Sequence, residues 1–405
     1  MATVSAFKVD IPQEVLDDLK DRLRRTRYSI DFANDDWEYG FNNDYLQELV
    51  TYWAEDYDFR AVESQLNKLH HFTTEIDGVP LHFIHEKGKG PNPTPLLLHH
   101  GWPWTFWDYR KVIGPLTDPA AYGADPNQSF DVVLCSLPGF GFSGPLTKPG
   151  VNFHVTADIE HTLMTDVLGY ERFGTAGGDW GALIVAQLGH KYPESIIGLY
   201  SHLPIQLSHY LGEHPDVPPE IAYSGGLPEP SEYGEGEEGW AQHNFDFFAK
   251  ESGYAFQQLS KPQTIGAALA DSPAGQLAWI NEKRRGWADT GGDIESVWTK
   301  DDLITAATIY WVTNTGATSA RYYKETLLNP WQRSHDRYPV VEAPTALGVF
   351  PADVLLMPHS WSEKYYNLQQ YRVHEKGGHF APYELPDVFL DDVRTFFQTL
   401  RDRPV

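Results

Sequence analysis

The chain has 405 residues and a formal net charge of −25, with 41% hydrophobic and 14% aromatic residues. The charge argues against nucleic acid and anionic membranes as partners, because both would repel the protein. No apolar stretch is as long as the roughly 18 residues that a membrane-spanning helix needs, and residues 1–10 lack the apolar block of a signal peptide. We therefore expect a cytoplasmic protein without a membrane anchor. The oligomeric state stays open, with a homodimer as one option.

The first block, residues 1–90, predicts two amphipathic helices and a hairpin. Apolar residues recur at helical spacing in both helices: Val15, Leu16, Leu19 and Leu23 in the first, and Leu46, Leu49, Val50 and Trp53 in the second. Two strand-like runs follow at 72–76 and 79–85, and Asp77-Gly78 between them is typical of a tight turn.

The remaining chain predicts an α/β core interrupted by helices. In the second block, residues 91–204, short apolar strands at 95–99, 131–136, 173–176 and 195–201 alternate with helices at 104–113, 155–168 and 182–188. This alternation predicts a mostly parallel sheet covered on both faces. The third block, residues 205–332, begins with a Gly/Pro/Glu-rich loop at 215–238 and continues with helical patterns only, which indicates a cap inserted over the active site. The fourth block, residues 333–405, returns to strands at 345–350 and 370–374 and ends in an amphipathic helix.

Asp179 is the most informative residue of the core. It stands in Gly177-Gly178-Asp179-Trp180-Gly181, between an apolar strand and a helix. Small residues around a central reactive residue at a strand-to-helix turn are typical of the nucleophile elbow of α/β-hydrolases, where a serine is more usual. An aspartate is ionised at neutral pH and can attack saturated carbon without a base, giving an ester that water can later cleave. The elbow therefore predicts epoxide opening or dehalogenation rather than ester hydrolysis.

A base and an acid should follow the nucleophile along the chain. His379, in Gly377-Gly378-His379-Phe380 after the last predicted strand, is the candidate base. Asp353, after the preceding strand, is the candidate acid, and Glu363 is the alternative. The backbone N–H groups of Trp180 and Trp102 are the candidate oxyanion donors.

Two other interpretations receive little support. The pairs His70-His71 and His99-His100 lack a third ligand at metal-site spacing, so we expect no metal. The run from Gly139 to Gly144 matches G-x-G-x-x-G, but prolines bracket it and no helix follows, so we expect no dinucleotide cofactor.

Taken in order, these motifs resemble the microsomal-type epoxide hydrolase family, which includes the juvenile-hormone epoxide hydrolases. The resemblance covers nearly the whole chain: Trp37-Glu38-Tyr39-Gly40, Tyr57-Asp58-Phe59-Arg60, His100-Gly101-Trp102-Pro103, Leu137-Pro138-Gly139-Phe140, Gly177-Gly178-Asp179 and Gly377-Gly378-His379-Phe380. It implies an α/β-hydrolase fold with a mostly parallel central sheet, an N-terminal meander, an inserted helical cap and no cofactor. Two departures stand out: vertebrate members carry an N-terminal membrane anchor, and the family's acid is often glutamate where Asp353 stands here.

The resemblance also implies two cap tyrosines that grip the epoxide oxygen. Tyr254, in Glu251-Ser252-Gly253-Tyr254, matches the first tyrosine. Tyr323, in Arg321-Tyr322-Tyr323-Lys324-Glu325, matches the second, and the adjacent Tyr322 is not expected to take part. A phenol of ordinary pKa near 10 can donate a proton to a basic alkoxide at neutral pH. The residues expected to line the substrate pocket are Trp102, Pro103, Trp180 and Phe380.

We predict a cofactor-independent enzyme that converts a small hydrophobic epoxide and water to a vicinal diol, in detoxification or aromatic-hydrocarbon catabolism. The alternative enzyme is a haloalkane or haloacid dehalogenase, which shares the elbow Asp-Trp pair but needs donors for a halide instead of the tyrosines. A ligand receptor on a retired hydrolase scaffold is the alternative from another class, and it predicts a broken triad.

Overall fold

The structure is a computed structural model that describes residues 2–210 and 227–401. Nine strands of this part of the chain form one sheet in the order β1-β2-β3-β5-β4-β6-β7-β8-β9. The strands are β1 (Ser5–Phe7), β2 (His71–Ile76), β3 (Val79–Glu86), β4 (Thr94–His99), β5 (Phe130–Cys135), β6 (Phe173–Gly177), β7 (Ile196–Ser201), β8 (Val341–Val349) and β9 (Tyr366–Val373).

Parallel pairing dominates the half of the sheet that carries the elbow. All pairs from β5 through β4, β6, β7 and β8 to β9 are parallel, whereas β1, β2, β3 and β5 pair antiparallel. Every residue of β5 and β6 is buried, which parallel strands require when helices cover both faces. The predicted α/β fold with a mostly parallel sheet is confirmed.

Helices cover the sheet and form the region between β7 and β8. Those around the sheet are α1 (Gln13–Arg24), α2 (Asn43–Glu55), α3 (Phe59–Leu66), α4 (Arg110–Thr117), α5 (Phe153–Thr162) and α6 (Trp180–Lys191). Between β7 and β8 lie α7 (Trp240–Glu251), α8 (Gly253–Ser260), α9 (Pro262–Asp271), α10 (Pro273–Trp287), α11 (Lys300–Val312) and α12 (Gly316–Leu328). The chain ends with α13 (His359–Tyr365), α14 (Ala381–Glu384) and α15 (Pro386–Arg401).

The helices from α7 to α12 occupy the predicted cap. No strand separates them among the described residues, although the bounds 205 and 332 stay a prediction. Half of the predicted loop at 215–238 lies outside the described residues. Its described half, residues 227–238, contains one short 3₁₀ helix, Pro230–Glu232, and no longer helix or strand.

The structure differs from the predicted elements mainly at their ends. The helix predicted at 104–113 begins later, because a capping box between Thr105 and Asp108 starts a 3₁₀ turn at Phe106–Tyr109 before α4. The helix predicted at 155–168 ends in a π-helical turn, Leu163–Val167, ahead of Gly169. Strand β1 and helix α3 were not predicted.

Candidate active site

Asp179 lies on the turn between β6 and α6. Its backbone has φ 55° and ψ −128°, a conformation that is costly for a residue with a side chain. Such strain persists only where the surrounding structure enforces it, as it does at functional sites. The side chain is 12% exposed, and Trp180 begins α6 directly after it. This is the geometry of a nucleophile elbow.

Both carboxylate oxygens of Asp179 are contacted from other loops. The backbone N–H of Trp102 donates to Oδ1 at 2.8 Å, and Nε2 of His379 lies 3.1 Å from Oδ2. A Cβ at Gly101 would lie 2.1 Å from Oδ1, so only glycine lets this loop approach the carboxylate so closely. One predicted oxyanion donor therefore already binds Asp179. The other predicted donor, the N–H of Trp180, lies at the start of α6, directly after Asp179.

His379 connects Asp179 to Asp353. Nδ1 of His379 lies 2.6 Å from Oδ1 of Asp353, and the N–H of Val354 donates to the same oxygen at 2.6 Å. The side chain of His379 is fully buried. The alternative acid, Glu363, is 61% exposed and faces His359 at 3.8 Å. The structure therefore brings Asp353 to the histidine, and the shorter side chain of aspartate reaches it.

The two carboxylates control the charge of His379. Burial lowers the pKa of this imidazole, but the negative charge of Asp353 and the hydrogen bonds to Asp179 and Asp353 raise it, and the result is a pKa of about 10. His379 is therefore an imidazolium at neutral pH. A change that neutralises Asp179 would remove part of what holds this proton.

Tyr254 and Tyr323 come from the cap helices α8 and α12 and meet at the cavity that Asp179 lines. Their ring centroids are 5.9 Å apart with the rings nearly perpendicular. Tyr254 stacks on the indole of Trp102 at 4.9 Å, and Tyr323 makes an edge contact with Trp180 at 4.7 Å. Each tyrosine is thus held by one of the residues that flank the carboxylate.

A small cavity of about 30 Å³ lies between the elbow and the cap. Apart from Asp179 and the two tyrosines, the residues that line it are apolar: Trp180, Leu183, Leu203, Ile205, Phe247, Phe248, Val354 and Leu355. Of the four predicted pocket residues, only Trp180 is among them. Trp102 lies behind the ring of Tyr254. An epoxide that enters this cavity meets the carboxylate, two phenols and hydrocarbon.

Pro103 and Phe380 are not among the residues that line this cavity, and their place in the substrate pocket stays a prediction. The carbonyl of Pro103 accepts a hydrogen bond from Arg284 at 3.0 Å, and the ring of Phe380 packs under the same guanidinium at 5.2 Å. Arg284 is fully buried and forms an ion pair with Asp108 at 2.8 Å. Arg284 could not be recognised from the sequence, because no motif marks a helical arginine whose partner lies 176 residues away.

The doubled histidines have partners of their own. His99 pairs with the buried carboxylate of Glu160 at 2.9 Å, and His100 accepts the N–H of Leu137 at 3.1 Å. Within residues 2–210 and 227–401, no group of three or more His, Cys, Asp or Glu side chains could hold a metal.

Comparison with known proteins agrees with the site. A family model for the epoxide hydrolase N terminus matches residues 4–109, and one for the α/β hydrolase fold matches residues 94–384. Epoxide hydrolase 1 of Oryctolagus cuniculus is 35% identical over 97% of this chain and 88% of that protein. The chain belongs to the epoxide hydrolase family.

Solved structures of epoxide hydrolases share the fold. The crystal structure of juvenile hormone epoxide hydrolase from the silkworm Bombyx mori is similar with a TM-score of 0.84 and 30% identity, over 99% of this chain and 95% of that chain. The epoxide hydrolase of Aspergillus niger has a TM-score of 0.82 and 26% identity, over 98% and 97% of the two chains. The predicted family is confirmed, and the dehalogenase alternative is not favoured. No helix in the described part of this epoxide hydrolase family member has the length and apolarity to cross a membrane.

Proposed function

We propose that the protein hydrolyses an epoxide to a vicinal diol through an ester on Asp179. One observation carries the proposal: an elbow carboxylate faces two cap tyrosines on one side and a buried His–Asp pair on the other. Epoxide hydrolysis needs both groups of residues. The tyrosines protonate the epoxide oxygen, and the His–Asp pair activates the water that hydrolyses the ester. A halide leaves without a proton, so the two phenols favour the epoxide.

The first half-reaction forms the ester. Oδ2 of Asp179 attacks a ring carbon, and the bond between that carbon and the epoxide oxygen breaks. The oxygen takes a proton from Tyr254 or Tyr323, so that the intermediate carries a hydroxyl group next to the ester. The negative charge of Asp179 is consumed in this step. The pKa of His379 then falls, and the proton that the imidazolium releases restores the tyrosine.

The second half-reaction cleaves the ester. The neutral imidazole of His379 takes a proton from water, and the resulting hydroxide adds to the carboxyl carbon of Asp179. The negative charge collects on Oδ1, which the N–H of Trp102 already binds in the resting enzyme and to which Trp180 adds the second donor. The bond to Oδ2 breaks, and the diol oxygen takes the proton from His379. The carboxyl group of Asp179 then gives its own proton to the imidazole, which restores the resting imidazolium, and the solvent oxygen stays in the carboxylate.

The cavity supports a small hydrophobic epoxide as the substrate, because its lining away from the reacting groups is apolar. A cytoplasmic location, a homodimer and a role in detoxification or aromatic-hydrocarbon catabolism stay predictions from the sequence. Cell fractionation tests the first and the mass of the particle in solution tests the second.

Replacement of His379 by glutamine tests the mechanism. The His379→Gln variant mixed with styrene oxide is expected to gain the mass of one epoxide per chain, because ester formation does not need the base. Peptide mapping should place the adduct on Asp179, and the His379→Gln/Asp179→Asn double variant serves as the control without an adduct. An adduct elsewhere, or none, contradicts the proposal. Chloride release measured beside epoxide consumption distinguishes a dehalogenase.

A further inference from the structure

The backbone of the loop that carries His379 is bound at every residue. Each N–H group from Gly377 to Phe380 donates to an acceptor outside the loop. The bonds are Gly377 to Asp289 Oδ2 at 2.9 Å, Gly378 to Glu384 Oε2 at 3.0 Å, His379 to the Trp287 carbonyl at 2.8 Å and Phe380 to Glu384 Oε1 at 2.7 Å. The position of the imidazole is therefore set by these acceptors.

Glu384 accepts two of the four bonds, and they flank the histidine. Gly378 donates to one oxygen of its carboxylate and Phe380 donates to the other. The first of these oxygens also accepts the N–H of Asp289 at 2.8 Å. Burial raises the pKa of Glu384 to about 7, while the three N–H groups that it binds lower this pKa and so favour the ionised form. The ionised carboxylate has two acceptor oxygens and no proton, so it can satisfy all three N–H groups at once. Glu384 does not touch His379, but it fixes the residue before it and the residue after it.

The last residue of helix α10, Trp287, and the segment after it complete this arrangement from the cap. The indole of Trp287 contacts the imidazole of His379 edge-on at 5.2 Å. The backbones approach so closely that a Cβ on Gly378 would lie 2.5 Å from the Trp287 carbonyl oxygen. Since Glu384 also binds the N–H of Asp289, it ties this cap segment and the His379 loop to each other.

We propose that Glu384 is a positioning residue that holds His379 in place for hydrolysis of the ester. This inference rests on the proposed function and adds a residue to it. His379 is required as a base only in the second half-reaction, whereas ester formation needs the carboxylate of Asp179 and the tyrosines. A displaced imidazole should therefore slow ester hydrolysis and leave ester formation as it is. A misplacement of about 1 Å is enough to cost on the order of 10²-fold in rate.

The Glu384→Gln variant tests this inference. The amide keeps the shape of the side chain but puts an NH₂ group where one of the accepting oxygens lies, so at least one bond to the loop is lost. Rapid-quench mixing with styrene oxide, followed by mass spectrometry of the intact chain, gives the rates of ester formation and ester decay separately. We expect formation within about twofold of the unmodified protein and decay slowed by on the order of 10²-fold. In the steady state, kcat and KM should fall together with kcat/KM unchanged.

Two outcomes overturn the inference. One is an ester on Glu384→Gln that decays at the rate of the unmodified protein. The other is an equal fall of both rates, which is what partial unfolding produces. If Glu384→Gln does not fold, Glu384→Asp is measured in the same way, and the same separation of the two rates is expected. An unmodified protein that forms no ester would contradict the proposed function itself, and this result is distinct from the other two.

Glu375 provides the matched control. It is exposed and lies on the chain just ahead of the same loop. Glu375→Gln removes the same charge at a similar distance along the chain, without touching the bonds that hold Gly378 and Phe380. Both rates should equal those of the unmodified protein, and slowed ester decay in this variant would overturn the specific role of Glu384.

Discussion

Tyr322 and Tyr323 are neighbours in the chain, yet only one of them reaches the cavity. Successive residues on a helix point about 100° apart, so the two rings leave α12 on different sides. The hydroxyl of Tyr322 is 2.8 Å from Oγ1 of Thr156, and burial raises the pKa of this phenol well above its ordinary value. Tyr323 instead lines the cavity with Tyr254. The proton donors can therefore be separated from their neighbour by mutation.

The Tyr254→Phe/Tyr323→Phe double variant should lose ester formation. Without a phenol the epoxide oxygen would have to leave as a free alkoxide, and general acid catalysis is worth about 10²- to 10⁴-fold in rate. Tyr322→Phe serves as the control and should form the ester at an unchanged rate. Epoxide consumption in a single turnover measures both. Retained activity of the double variant would remove the tyrosines from the mechanism.

The charge on Asp179 should control the proton on His379. In the resting protein the pKa of His379 is about 10, with Asp179 among the groups that raise it. The Asp179→Asn variant has a neutral side chain at position 179, as the ester intermediate does. The loss of this negative charge should lower the pKa of His379 towards its ordinary value of about 6.5. A titration of the imidazole followed by NMR measures both values. Equal pKa values in the two proteins would contradict the account of how the base is released.

The residues of the candidate site that could be predicted are those that follow one another in a fixed order along the chain. The sequence places a reactive carboxylate at a turn, a histidine after the last strand and an acid between them, and the structure brings Asp179, His379 and Asp353 together. The sequence does not reveal that Phe380 packs against Arg284, or which groups Arg284 and Glu384 bind. Those positions depend on side chains that meet only when the cap packs on the core.

Helix α10 contacts two loops of the site from the cap, the one that carries Trp102 and the one that carries His379. Arg284 donates to the carbonyl of Pro103, next to the oxyanion donor Trp102, and binds Asp108 with two hydrogen bonds of 2.8 and 3.0 Å. The end of the same helix accepts the N–H of His379. The ion pair is buried, so the loss of Arg284 leaves the buried carboxylate of Asp108 without this cation.

Arg284→Met should lower the free energy of unfolding by about 3 to 5 kcal/mol, because the variant leaves a buried carboxylate without its cation. Replacing both partners, as in Arg284→Met/Asp108→Leu, should recover part of that loss. Urea unfolding monitored by tryptophan fluorescence measures the difference. Arg285→Met, at the neighbouring position, is the control and should cost about 1 kcal/mol or less. If Arg284→Met also lowers the free energy of unfolding by only about 1 kcal/mol or less, the ion pair does not stabilise the fold as expected.

Elements with a strong local pattern were predicted, and elements defined by their partners were not. The hairpin of β2 and β3 turns at Asp77 and Gly78, as expected, and both have positive φ. Strand β1 has only three residues and exists through its pairing with β2. Helix α3 is short and follows the cap residue Asp58 closely after α2. Neither offers enough periodicity to be recognised alone.

Buried histidines make the stability of the whole molecule depend on pH. Burial lowers the pKa of His100 to about 4 and that of His202 to about 3, and it lowers the pKa of His82 well below its ordinary value. All three are neutral in the folded protein, whereas the unfolded chain takes up protons below about pH 6.5. His379 acts in the opposite direction, because its raised pKa stabilises the fold below about 6.5, and this contribution is lost as the pH rises towards 10.

The free energy of unfolding should therefore be greatest near pH 6.5 and fall on both sides. Between pH 6 and 4.5, each neutral buried histidine adds about 1.4 kcal/mol per pH unit to the loss. Denaturant titrations at a series of pH values measure this slope. His202→Gln should reduce this slope by about 1.4 kcal/mol per pH unit, because one titrating histidine is lost. Glu375→Gln should leave the slope unchanged. A flat stability curve over this range would contradict the protonation states assigned here.

The ester mechanism requires that an oxygen atom of water enters the carboxylate of Asp179. A single turnover in H₂¹⁸O, with the protein in excess over styrene oxide, should leave one heavy oxygen in the carboxylate of Asp179 and none in the diol. The reason is that the diol takes its second oxygen from the enzyme, and mass spectrometry of the peptide and of the diol reads both. Label found in the diol and absent from Asp179 would mean that water attacks the epoxide directly, and it would contradict the ester mechanism.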